Sequence, residues 1–222
     1  MNFIQNLEND LRQKANRETA IPMENYMKNN FSFLGIKTEE RRAIFKSNCD
    51  KHIEEIKSNF RAITWELFNK KEREFHQCGM DLICKEIKKK HILNDIQLIE
   101  KLLITNSWWD SVDALAKYLL GHYLLQFPEK KYQVIESFSN SENMWLNRSA
   151  IIFQLDYKAN TDFELLKSEC EKHKLSNEFF IQKAIGWALR EYSRFNPNGV
   201  KEYVNSTQLK PLSQREALRN LK

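Results

Sequence analysis

The chain has 222 residues, 41% of them hydrophobic and 29% charged, with a formal net charge of +5. These proportions exclude a disordered or membrane-embedded polypeptide, and five Gly with four Pro supply too few turn formers for an all-β fold. The modest positive charge permits an anionic partner without requiring one.

The N-terminus, MNFIQNLENDLRQ, lacks the basic head and apolar stretch of a secretion signal, and apolar runs such as Ala150 to Phe153 stop far short of a membrane span of roughly 20 residues. A cytoplasmic protein without membrane contact is therefore expected. Cys49, Cys78, Cys84 and Cys170 form no CxxC pair, and the five histidines have no ligand spacing. No metal, disulfide or cofactor is expected.

In chain order, Tyr26 falls on a helix with Met23 and Met27 at helical spacing, which makes core packing its default role. Gly35 then breaks the chain, and Thr38 before Glu39 and Glu40 reads as an N-cap followed by an acidic first turn. Lys37, Thr38, Arg41 and Arg42 place a glycine turn and a helix start beside three cations, a candidate phosphate contact.

From Ser107 to Phe127, with Ser107 and Asp110 resembling a capping box, Trp108, Val112, Leu115, Ala116, Leu119 and Tyr123 form an apolar stripe. Trp109 borders that stripe and Asp113 stands four residues on, so ring and carboxylate share one helix edge. Either they act on one ligand together, or Asp113 pairs with Lys117. The helix Asn143 to Tyr157 is apolar almost all round yet contains Arg148, whose guanidinium needs a hydrogen-bonded anion. An internal carboxylate and a DNA phosphate are both open as that partner.

Thr161 with Glu164 fits a capping box for the next helix. In Ile181 to Arg194 the core stripe is Ile181, Ala184, Ile185, Ala188, Leu189 and Tyr192. Trp187 lies roughly 130° from its centre, beside Lys183, Arg190 and Arg194. A tryptophan among cations reads as a surface for a phosphate backbone, unless another segment covers it and the cations are solvated. Further breaks fall between Phe127 and Pro128, around Ser139 to Ser141, at Leu175 and Ser176, at Pro197 to Gly199 and at Pro211. About a dozen helices with tight connections result, an all-α fold of paired helices in a curved α-solenoid or a compact bundle, read as one domain over residues 1–222.

SWWDSVD (Ser107 to Asp113), FFIQKAIGWALREYS (Phe179 to Ser193), MWLNRSAIIFQLDYK (Met144 to Lys158), YMKNNFSFLGI (Tyr26 to Ile36), EREF (Glu72 to Phe75) and PLSQREAL (Pro211 to Leu218) keep their order over nearly the whole chain. Together they resemble the AlkD family of DNA glycosylases. The resemblance implies HEAT-like helical repeats curved around a concave basic groove for duplex DNA, a monomer, and excision of cationic N3- or N7-alkylated purines. It places Asp113 as the catalytic carboxylate, Trp109 and Trp187 against the sugar of the damaged nucleotide, Arg148 on the backbone, and Tyr26 near the lesion. Lys158, Lys183 and Arg190 join Lys37, Thr38, Arg41 and Arg42 as expected DNA contacts. Asp156 departs from this pattern, since a cation would better suit a DNA-facing edge. A DNA-structure binder without catalysis and a helical scaffold for another protein are the competing readings.

Overall fold

The computed structural model describes residues 1–221 and divides into two compact units, Met1–Lys90 and His91–Lys222. Apart from one isolated bridge between Ser32 and Glu72, all regular structure among the described residues is helical. The all-α expectation is met.

The first unit contains α1 (Phe3–Gln13), α2 (Arg17–Tyr26), α3 (Thr38–Lys51), α4 (Ile53–Phe68) and α5 (Arg73–Glu86). Phe3, Leu7 and Leu11 recur at i, i+4 and i+8 on α1 and are fully buried. The chain leaves α2 through a turn at Gly35, whose φ of +87° suits glycine. The backbone N–H groups of Leu34, Gly35 and Ile36 donate to the buried carboxylate of Glu74 at 3.0, 2.9 and 3.2 Å. The glycine turn expected to greet a phosphate thus already holds an internal anion, because three adjacent donors facing inward must be satisfied on folding. A Cβ at Gly35 would fall 2.0 Å from the Asn16 carbonyl oxygen. Gly35→Ala is accordingly expected to cost about 2–3 kcal/mol, read as a lower urea midpoint, from positive-φ strain and the backbone displacement that the methyl forces.

The second unit contains α6 (Asp95–Ile104), α7 (Trp109–Ala114), α8 (Gly121–Gln126), α9 (Lys131–Ser139), α10 (Met144–Ile152), α11 (Phe163–His173), α12 (Phe179–Tyr192), α13 (Pro197–Ser206) and α14 (Pro211–Leu218). Helices α7 and α8 are continuous through a widened π-type stretch, Leu115–Leu120, after which the Gly121 N–H donates to the Ala116 carbonyl five residues back. The core gathers Ile151, Ile152, Ile181, Ile185, Leu189 and Val204 from α10, α12 and α13. Fully burying each such side chain contributes about 1.5–3 kcal/mol.

Three expected helix starts shift by one residue. Lys37 precedes α3 as its cap position and Thr38 is its first helical residue. Asp162, not Thr161, caps α11 by accepting from the Leu165 N–H at 3.1 Å, where a carboxylate also favours the helix dipole. Ser107 closes α6 through a 2.6 Å bond to the Leu103 carbonyl, which leaves Trp108 at the start of α7. No described helix is long and apolar enough to cross a membrane.

Candidate active site

Helices α7, α10 and α12 each contribute to one pocket of about 300 Å³ in the second unit, lined by Trp109, Asp113, Arg148, Phe179, Phe180, Lys183, Trp187 and Arg190. Trp109 and Asp113 share an edge of α7 as their spacing of four predicts. The edge toward Lys117 does not continue in the same way. The π-type stretch begins at Leu115 and changes the helical phase, and the Lys117 ammonium lies 3.7 Å from Asp156 instead.

Asp113 is held by Arg148. Arg148 donates from Nε to Oδ1 at 2.7 Å and from Nη2 to Oδ2 at 2.8 Å, a bidentate fork, while its Nη1 donates to the Phe180 carbonyl at 2.5 Å. The arginine side chain is 5% exposed and that of Asp113 17%. Of the two partners left open for the guanidinium, the structure supplies the internal carboxylate. Arg148 therefore reaches the site as the clamp of Asp113, and the expectation of a direct backbone contact is corrected to that extent, because its three donor groups are engaged from within.

Local packing explains why the fork is stiff. The Asn143 side chain caps α10 by accepting from the Trp145 N–H at 2.9 Å, and Asn147 donates to the carbonyls of Phe138, Ser139 and Ser141 at the end of α9. Beside the fork, Trp108, Trp145 and Phe180 pack with ring centroids 5.0–5.8 Å apart. In these surroundings burial pushes the Asp113 carboxyl above its ordinary range, and the hydrogen bonds and charge of Arg148 pull it back toward the ionised form.

Trp109 and Trp187 are half-buried in the pocket wall, and Trp187 also packs against the core. Lys183 and Arg190 are not simply solvated, since both bind Glu216 of α14. Arg194, read with them in the sequence, lines a different cavity of about 220 Å³ with Lys117, Asp156 and Lys158. Lys158 is thus exposed but away from the pocket walls, at a φ of +56°. Asp156 lies 3.7 Å from the Lys117 ammonium and 3.2 Å from His122 Nε2.

The remaining expected contacts belong to the first unit. Tyr26 is 69% exposed, which overturns the core-packing reading: in α2, Ala20 is the buried residue, and Met27 is buried just beyond the helix. Lys37, Thr38 and Arg42 are exposed. Arg41 is 3% exposed and donates inward to Asp81 at 2.8 Å and to Cys78 Sγ at 3.5 Å, so burial corrects the expectation of a phosphate contact there. Sequence reasoning missed Phe179, Phe180 and Glu216. Phe180 had a signal, since Phe180, Lys183, Trp187 and Arg190 recur at i, i+3, i+7 and i+10 along one helix face, and Phe179 is its neighbour in sequence. Glu216 had none, because its partners lie on another helix.

A helical-repeat protein with an ionisable acid–arginine fork under two indoles is the class that fold and pocket define. Comparison with known proteins makes it specific. Residues 7–221 match the family model described as DNA alkylation repair enzyme. Among solved structures, a predicted DNA alkylation repair enzyme from Enterococcus faecalis is 34% identical with a TM-score of 0.81, covering 93% of this chain and 96% of that one. AlkD2 from Streptococcus mutans is 17% identical with a TM-score of 0.58, covering 84% and 91%, and smu.31 from Streptococcus mutans UA159 is 16% identical with a TM-score of 0.57, covering 83% and 98%. These last two share the fold. No match was found among curated proteins. The chain belongs to the DNA alkylation repair enzyme family, whose substrate is DNA.

Proposed function

We propose that this protein is a monofunctional DNA glycosylase that hydrolyses the N-glycosidic bond of purines made cationic by N3 or N7 alkylation in duplex DNA, acting as a monomer. The observation that carries this reading is a carboxylate, Asp113, fixed by Arg148 in a pocket walled by Trp109 and Trp187. Alkylation at N3 or N7 places a positive charge on the purine, so the base departs neutral when the bond to the sugar breaks, and no proton need be supplied. The lining agrees with that economy: among its described residues Asp113 is the one carboxyl, and none is His, Tyr or Cys.

As the bond lengthens, positive charge develops on the sugar. The ionised Asp113 stabilises that charge and orients the attacking water through a lone pair that Arg148 leaves available, while the indole faces attract the same cation. The amine of Lys183 is engaged by Glu216 at 2.9 Å rather than offered to the sugar, which fits hydrolysis without strand cleavage. Lys183 and Arg190 at the pocket, Lys158 on the second unit, and Tyr26, Lys37, Thr38 and Arg42 on the first are assigned to DNA contacts, largely to phosphate.

The test is incubation with duplex carrying 7-methylguanine, with free base as the readout. Release by the wild type supports the reading, and salt-sensitive binding with no release at any pH between 6 and 8 replaces it with a DNA-structure binder. Trp187→Ala is expected to slow single-turnover release about tenfold and Trp187→Phe much less, because a cation over an aromatic face gains about 0.5–2 kcal/mol. Equal rates for the two variants would remove the indole from the chemistry.

A further inference from the structure

Lys183, Trp187 and Arg190 occupy one face of α12, because residues four and seven positions on return to within about 40° of the first. Trp187 therefore stands between two cations whose backbones are about 10.5 Å apart along the axis. One carboxylate holds both. Glu216 of α14 lies 2.9 Å from Lys183 Nζ through Oε1 and 2.6 Å from Arg190 Nη1 through Oε2, and Arg190 also reaches the Glu216 carbonyl at 3.4 Å. The arrangement is built into the helix packing. A Cβ at Gly186, next to Trp187, would fall 2.4 Å from the Glu216 Cβ and 2.9 Å from the Ser213 carbonyl oxygen, so α12 and α14 meet where only glycine fits. Ser213 Oγ fastens the same contact by donating to the Gln182 carbonyl at 3.0 Å.

We propose that Glu216 is a positioning residue that fixes Lys183 and Arg190 on either side of Trp187, so that each faces a phosphate flanking the nucleotide seated on that ring. This rests on the reading of the pocket as a DNA lesion site. The charged ends of Lys183 and Arg190 converge on the two oxygens of one carboxylate, so they lie closer together than their backbones and suit the two successive phosphates on either side of one nucleotide. Two cations against one carboxylate leave one positive charge, enough to attract a phosphodiester, while the shared anion keeps either side chain from following phosphates elsewhere. Glu216 itself does not line the pocket and acts through its two partners. The PLSQREAL segment, to which nothing else in the site assigns a role, would be the platform for this clamp.

Glu216→Gln keeps the size and removes the charge. Binding of unmodified duplex is expected to tighten severalfold, with a log–log salt slope steeper by about one. Preference for duplex bearing a tetrahydrofuran abasic analogue over unmodified duplex should fall at least fivefold, and single-turnover release of 7-methylguanine at saturating protein about tenfold. A structural role alone would lower Tm and leave the preference of the folded fraction unchanged. Preference and release rate within twofold of wild type, or a parallel loss of all binding, overturn the proposal. A second comparison guards against a folding defect: adding Glu216→Gln to the Lys183→Gln, Arg190→Gln pair should change preference no further, whereas a full additional loss contradicts the assignment. If the wild type releases no base, the glycosylase reading fails, and the preference and coupling measurements still decide the role of Glu216 because they require binding alone.

Discussion

Single-turnover release of 7-methylguanine is expected to fall about 10²- to 10³-fold in Asp113→Asn while duplex binding persists, because removing one preorganised electrostatic group from a transition state commonly costs about 2.7–4 kcal/mol. The substitution is close to isosteric but not innocent. An amide offers Arg148 one acceptor in place of two, and its NH₂ meets a guanidinium donor where Oδ2 now accepts at 2.8 Å. A guanidinium 5% exposed then loses its counter-charge. Breaking a buried pair in this way costs about 3–5 kcal/mol, and the partial exposure of Asp113 puts the expectation near the lower end. Chemistry and stability are separable: single-turnover rates at saturating protein, at a temperature where the variant remains folded by circular dichroism, report the chemistry alone. A variant that excises at the wild-type rate would remove Asp113 from the mechanism.

The second large effect is on pH dependence. In the proposed mechanism Asp113 acts ionised, and its carboxyl titrates above the ordinary range because burial disfavours the charge more than Arg148 restores it. Activity should therefore decline as pH falls through that raised value. In Arg148→Gln the restoring hydrogen bonds and charge are lost, so the acid limb of the rate profile is expected to move to higher pH than in the wild type. Stability runs the other way. A carboxyl whose folded pKa is raised gives its full contribution below the unfolded pKa and loses it as pH rises through the folded one, so the destabilisation by Arg148→Gln should deepen with increasing pH across that window. An unshifted acid limb would mean that Arg148 does not tune Asp113.

What the sequence revealed and what it hid follow from the range of the forces involved. Helical periodicity put Trp109 and Asp113 on one edge of α7 and Trp187 on the polar side of α12, and the buried stripes around Val112 and Ile185 formed as read except at Trp108 and Tyr192, which are only partly buried. Those are local consequences of about 100° per residue. Electrostatic partners are not local. Arg148 with Asp113, Arg41 with Asp81, Glu74 with the Gly35 turn, and Glu216 with Lys183 and Arg190 join residues 26 to 40 positions apart. No spacing rule could choose between these carboxylates and an external phosphate. The π-type stretch at Leu115–Leu120 misled the pairing of Asp113 with Lys117 for a related reason, since a changed helical phase carries no compositional mark. The ordered motifs of the family supplied the convergence of Trp109, Asp113, Arg148 and Trp187 that pattern alone left unresolved.

The central claim is that substrate charge replaces a general acid, leaving Asp113 and two indoles to stabilise the sugar. Its most direct test is base release measured side by side on duplexes carrying 7-methylguanine or 3-methyladenine and on duplexes carrying neutral lesions such as hypoxanthine or O6-methylguanine. The account predicts release of the cationic bases and retention of the neutral ones across pH 6 to 8. Comparable release of a neutral base would show that the enzyme protonates its leaving group and would contradict the account.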